Sequence, residues 1–159
     1  MKVCKFEKIK DEDEMKQVIN CIQKEHPYVA VVPILAQLQE WLQAISISWF
    51  HEEDEVSHAT VNAIEAYCCT LANHLVTDSH LNQEIKNRIL ECIKKIHILV
   101  EDKADLLIDK MIKAEVYGLS SDLFTYCLRQ QGLRAQTLDT GKLIQINLER
   151  KPDIPYIQE

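Results

Sequence analysis

Glycine and proline are scarce in this chain, three and four among 159 residues. A Gly-rich phosphate cradle is thereby excluded, because backbone N–H groups close on an anion only where side chains leave room; Gly118, Gly132 and Gly141 each stand alone. The chain also lacks a Gly-x-Ser-x-Gly elbow, and no Ser or Cys can be placed beside a His from spacing, so nucleophilic catalysis has no scaffold. No apolar run approaches the roughly 20 residues of a membrane span. Met1–Asp11 alternates lysine with apolar residues and has no continuous apolar centre, unlike a signal peptide. Basic residues are in deficit, 18 Lys and Arg against 25 Asp and Glu, for a net charge of −7. That balance argues against unspecific binding of nucleic acid or an anionic membrane, both of which need a basic face. No Cys-x-x-Cys pair occurs. The six cysteines (Cys4, Cys21, Cys68, Cys69, Cys92, Cys127) are scattered, which leads to the expectation of a reduced, cytoplasmic protein with buried thiols. The vicinal Cys68–Cys69 falls in a helical stretch and reads as a structural thiol pair rather than a redox site.

What is present is a core: 47% of residues are apolar, enough for one ordinary domain over 1–159. Lys2–Phe6 reads as a short strand. After a charged turn over Glu7–Asp13, Met15, Val18, Ile19 and Ile22 mark one face of a helix over Asp13–Lys24, and His26–Pro27 breaks it. Tyr28–Val32 is almost wholly apolar, the pattern of a strand covered on both faces as in a parallel sheet. Ile34, Leu35, Leu38, Trp41, Leu42 and Ile45 predict the next helix. From Asp54 to Val116 no strand signal appears. Long helical stripes run through Val56–Leu75 and Leu81–Val100, with Asp78 or Ser79 as the cap between them, and a third segment covers Leu107–Val116. These helices are expected to pair antiparallel as a helical insertion over 54–116 above the sheet.

The chain is organised around Leu119–Asp139, read as a helix, a glycine stop and a strand. Ser120 and Ser121 occupy N-cap positions, Asp122 adds first-turn charge, and Leu119, Leu123, Tyr126, Cys127 and Leu128 recur at helical spacing. Gly132 suits the end of that helix. Leu133–Leu138 alternates like a strand, and Leu143–Asn147 reads as a further one. The expected fold is therefore α/β: a small, mainly parallel sheet covered by helices.

Candidate chemistry is thin. His51, Glu55 and His58 fall at i, i+4 and i+7, a spacing that suits Zn²⁺. Against this, His51 reads as preceding the helix, and Glu52–Glu55 as a solvated acidic first turn; no metal site is expected. His74, His80 and His97 share no ligand spacing and suggest no role. Trp41, Trp49 and Phe50 read as core or helix-end packing rather than a stacking platform. Lys5, next to the end of the first strand, is the most interesting single residue. Its ammonium would emerge at the strand's carboxyl end, where ligands bind in open α/β sheets.

With these segments in place, the layout resembles the N-terminal lobe of an aspartate kinase, of the amino-acid kinase family. Met1–Phe6 (Met-Lys-Val-Cys-Lys-Phe) resembles that family's opening strand, which runs on as Lys-Phe-Gly-Gly-Thr/Ser-Ser. Met15–Ile22 is similar to its first helix, Tyr28–Val32 to its second strand, and the helical middle to its helical excursion. The densest likeness lies in Ser120–Glu159: Ser120-Ser121-Asp122-Leu123-Phe124, then Tyr126, Leu128, Gly132 and Leu133–Leu138, and finally Pro152-Asp153-Ile154-Pro155-Tyr156-Ile157. It covers the first part of a kinase. The departures fall on functional positions. Glu7-Lys8 stands where paired glycines contact phosphate, Pro33–Gln39 where a Ser-Ala-x-x-x-x-Thr-Asn type loop belongs, and Val116-Tyr117 where a Gly-Glu binds aspartate. The Arg and Thr-Asp after the third strand have no match around Gly141–Asn147. Among the family's catalytic positions the resemblance carries over only Lys5, which would neutralise phosphate charge.

The resemblance thus implies a truncated, catalytically inactive aspartate-kinase homologue, a pseudoenzyme acting as a binding or interaction module. The alternatives are an active aspartate kinase or one subunit of it, with ATP and Mg²⁺ as cofactors, and an unrelated α/β interaction protein. For the inactive reading no cofactor is expected. The expected partner is a second copy or another protein burying an edge strand or part of the 54–116 helices; the rival is a monomer whose Leu143–Glu159 tail folds back.

Overall fold

The computed structural model describes residues 2–102 and 107–138. It opens with strand β1 (Val3–Lys5), helix α1 (Glu12–Glu25) and strand β2 (Val29–Val31). The two strands are parallel neighbours, with Val3 opposite Val29, Cys4 opposite Ala30 and Lys5 opposite Val31. The connecting helix begins at Asp11, whose carboxylate accepts the Glu14 N–H at 2.9 Å. It ends at His26, in the left-handed conformation at φ 44°, directly before Pro27, which disfavours helical backbone in the residue ahead of it.

Four helices follow: α2 (Ala36–Phe50), α3 (Asp54–Leu75), α4 (Ser79–Glu101) and α5 (Ile108–Gln130). They pack α2 on α3, α3 on α4 and α4 on α5, and α1 also touches α5. Each turns its apolar stripe inward. Ile64, Cys68 and Ala72 of α3, Ile85, Ile89 and Ile96 of α4, and Val116, Leu119 and Leu123 of α5 are all completely buried. One continuous core joins these to Met15 and Ile19 of α1 and to Leu38 and Leu42 of α2. Burying each such side chain is worth about 1.5–3 kcal/mol, so the helices, and not the short strands, hold the fold together.

Four expectations need correction. The sheet has two strands among the described residues, so "mainly parallel sheet" overstates it; the chain is mostly helical with a small parallel pair. Leu133–Leu138 is not a strand but an irregular segment lying against α5. Its polar groups bond to that helix: Arg129 Nε donates to the Ala135 carbonyl at 2.9 Å, and Thr137 donates to Asp122 at 2.7 Å. Ser120 and Ser121 do not cap a helix; they lie inside α5, which runs unbroken through Gly118. The core stripe Ile112, Val116, Leu119, Leu123 crosses that point without interruption, and its burial outweighs the local preference of serine for a cap. Tyr28–Val32 is not covered on both faces, since Tyr28 is 80% and Val31 46% exposed.

Other expectations agree with the structure. Asp78 caps α4 through the Leu81 N–H at 2.9 Å. Gly132, at φ +81°, stops α5 where a side chain would be strained. Trp49 is buried, while Trp41 meets Tyr67 edge-on at 5.4 Å. Phe50, expected in packing, is 61% exposed and touches Trp49 edge-on. The readings of Leu143–Asn147 as a strand and of Pro152–Glu159 as a further segment lie outside the described residues. No helix among the described residues is long and apolar enough to cross a membrane.

Candidate functional site

The carboxyl ends of β1 and β2 are where an open α/β sheet offers a ligand site. Lys5 is the last residue of β1 and is exposed. Beyond it the Phe6 N–H donates to the Val31 carbonyl at 3.0 Å. The chains then rejoin at a parallel bridge between Ile9 and Leu35, where the Ala36 N–H donates to the Ile9 carbonyl at 3.0 Å. Ile9 and Leu35 are fully buried, at 0% and 1% exposure. Glu7 and Lys8 stand outside this apolar seal, both exposed.

The first turn of α1 is the other feature an anion would need, because its N–H groups and dipole favour negative charge. Here the chain's own acids fill that position. Asp11 Oδ1 accepts the Glu14 N–H, and Glu14 Oε2 accepts the Lys10 N–H at 2.7 Å. Glu12 and Asp13 add further negative charge to the same turn. The arrangement at the strand ends therefore presents one exposed ammonium beside a self-capped acidic helix start.

The His51–Glu55–His58 spacing does not assemble. His51 is the C-cap of α2, and α3 begins only at Asp54, after Glu52 takes a left-handed φ of 57°. His51 and Glu55 face solvent. No group of three or more His, Cys, Asp or Glu side chains suited to a metal occurs among the described residues.

The structure instead joins His58 to His97, which spacing along the chain had left without a role. Their Nδ1 atoms are 2.6 Å apart. His97 Nε2 lies 3.1 Å from Asn62 Oδ1, and His58 Nε2 lies 3.6 Å from Glu101 Oε1. Burial, and then the neighbouring His58, lower the pKa of His97, while Glu65 and Glu101 oppose that shift. A signal for the pair was available in the sequence. Once α3 and α4 are read as a hairpin turning at Thr77–Asp78, His58 and His97 are equidistant from the turn and so lie at one height. Close to the same turn, Asn82 Nδ2 donates to the Ala72 and Val76 carbonyls at 3.0 and 2.8 Å.

Two shallow grooves complete the picture. One, of about 260 Å³, is lined by Arg88, Asp122, Thr125, Tyr126, Arg129 and Thr137, among others. Its charges are already matched: Arg88 Nε sits 2.9 Å from Asp122 Oδ2, and Arg129 lies over the Tyr126 ring and bonds Ala135. The other, of about 270 Å³, lies where α1 meets the ends of α3 and α5. There Glu12 already pairs with both Lys16 (2.8 Å) and His74 (3.0 Å). Comparison with models of known families, with curated proteins and with solved structures finds no match to the chain.

Proposed function

We propose that the chain is an aspartate-kinase-like binding module that does not transfer phosphate and works through protein contact. The observation that carries this reading is the start of α1. A kinase of the family that the sequence resembles would offer glycines and free N–H groups to phosphate after its first strand. This chain puts Glu7 and Lys8 there, pairs the Glu14 N–H of the first turn with Asp11, and turns the Glu14 carboxylate back onto the Lys10 N–H just before the helix. Two unit charges of like sign about 4 Å apart at an effective dielectric of about 20 repel by roughly 4 kcal/mol, an upper figure for an exposed site. Lys5 alone does not offset that repulsion. The amino-acid-kinase-like lobe is supported by the parallel β1–α1–β2 opening and by the collinear motifs.

The module's contact surface is read from the strands. Parallel pairs are ordinarily covered on both faces, yet Val3, Tyr28 and Val31 are 51%, 80% and 46% exposed. An apolar surface of this kind is covered by a partner or by a second copy, in keeping with a homodimer or hetero-complex in a reducing cytoplasm. Titration calorimetry with Mg-ATP, followed by an assay for phosphate transfer to L-aspartate, tests the catalytic half: no saturable heat and no transfer are expected, and either signal overturns it. Light scattering tests the contact half, expecting a mass above 18.4 kDa or a recovered partner. A strict monomer with no partner overturns that half.

A further inference from the structure

We propose that His58 and His97 clasp α3 to α4 through one hydrogen bond between their Nδ1 atoms and that the clasp opens when both rings are protonated. The ring centroids are 4.8 Å apart, the Nδ1 atoms 2.6 Å, and the planes differ by 27°. A centroid gap that exceeds the Nδ1 gap by nearly two ring radii requires the rings to meet edge to edge. The Nδ1 lone pairs then point at each other along one line, rather than the rings lying face on face.

A separation of 2.6 Å between two ring nitrogens calls for one proton on the line between them, donated by one Nδ1 and accepted by the other. A second proton would set two Nδ1–H groups head to head and drive the rings apart. Burial and the neighbouring ring oppose a charged His97, while Glu65 and Glu101 favour it; Asp54 and Glu55 lie one turn before His58, and Lys94 one turn before His97. The neutral pair keeps an N–H···N bond, so the clasp fails on the acid side alone.

The site lies where α3 begins and α4 ends. The same end holds the Trp49 Nε1 bond to the Asp102 carbonyl at 3.3 Å and the Ser46–Asp109 bond that ties α2 to α5. Release of the clasp therefore loosens the end of the bundle from which α5 departs.

Imidazole ¹⁵N shifts of the full-length chain, followed from about pH 8 to about pH 4, test the proposal. The expected result is two steps more than about one pH unit apart, because the second proton has to break the Nδ1–Nδ1 bond. In His97→Asn, the remaining ring is expected to show a single step. Independent titration of the two rings in the wild type overturns the proposal. So does saturable perturbation of both Nδ1 atoms by micromolar Zn²⁺ in place of the split titration. If His97→Asn does not fold, the wild-type titration decides alone.

Discussion

The two ends of the helical bundle are tied by different chemistry. At the end where α3 turns into α4, amide side chains carry ties between helices, beside the Asp78 cap and the His74–Glu12 pair. Asn82 donates to the Val76 carbonyl just past α3 and to the Ala72 carbonyl, which also accepts the Val76 N–H. Gln130 accepts from the Thr77 and Asp78 N–H groups and donates to the Leu75 carbonyl at 2.9 Å. At the opposite end the ties are ionisable: His58 with His97 and Glu101, and Asp109 with Ser46 and Lys113. Amides keep their charge state at any pH, whereas histidines and carboxylates do not. The turn end therefore leans more on groups indifferent to pH and the opposite end more on groups that titrate, although the same four helices run through both.

The largest effect should come from breaking the amide end. Asn82→Ala combined with Gln130→Ala leaves helix-terminal groups unpaired and should cost about 2–3 kcal/mol. Urea unfolding is expected to show the same loss at about pH 5 and about pH 8. A loss that varies with pH would break the contrast between the ends.

The ionisable end should give smaller effects with a definite sign. The folded-state pKa of His97 is lowered, so near its unfolded value of about 6.5 the unfolded chain binds more protons. Stability on its account is complete above that value and declines as pH falls through it. Asp109 is partly buried, which raises its pKa, yet the hydrogen bonds from Lys113 and Ser46 and the charge of Lys113 together hold it below the usual carboxylate range. Its contribution is complete above about pH 4 and is lost as pH falls through the lowered value. Asp109→Asn should cost about 1 kcal/mol at neutral pH and flatten the acid limb of the Tm–pH curve; an unchanged limb would place the acid sensitivity elsewhere.

The smallest effect is expected at the strand ends. Lys5→Ala should change stability by less than about 0.5 kcal/mol, since the side chain is exposed, and should leave Mg-ATP calorimetry without saturable heat. A larger loss would show that Lys5 has a partner that its exposed position does not suggest.

Much of this arrangement was legible in the sequence. The helix stripes through Met15–Ile22, Val56–Leu75 and Leu81–Val100 depend on burial periodicity alone, and each is a helix. The first two strands were readable as short apolar runs between breakers. Leu133–Leu138 was misread because alternation states only that a segment can lie flat against something. Its partner is α5, where Thr137 bonds to Asp122 and Thr125. Ser120 and Ser121 misled for a related reason: a cap is a local signal, and the stripe through Ile112, Val116, Leu119 and Leu123 is a stronger, longer-range one. The His58–His97 pair depends on how two helices register against each other, which no single-helix spacing records.

The buried thiols have a consequence of their own. Cys68, Cys92 and Cys127 are inside the core, and burial pushes the Cys92 and Cys127 thiols up to about 12 and raises Cys68 as well. A thiolate is the reactive form, so these three are silent while the chain stays folded. Cys21 is exposed and Cys4 and Cys69 are half-buried. The protein thus carries its own stopwatch: with a thiol-specific reagent the surface groups mark the start, and each core group reports how often its own helix breathes open.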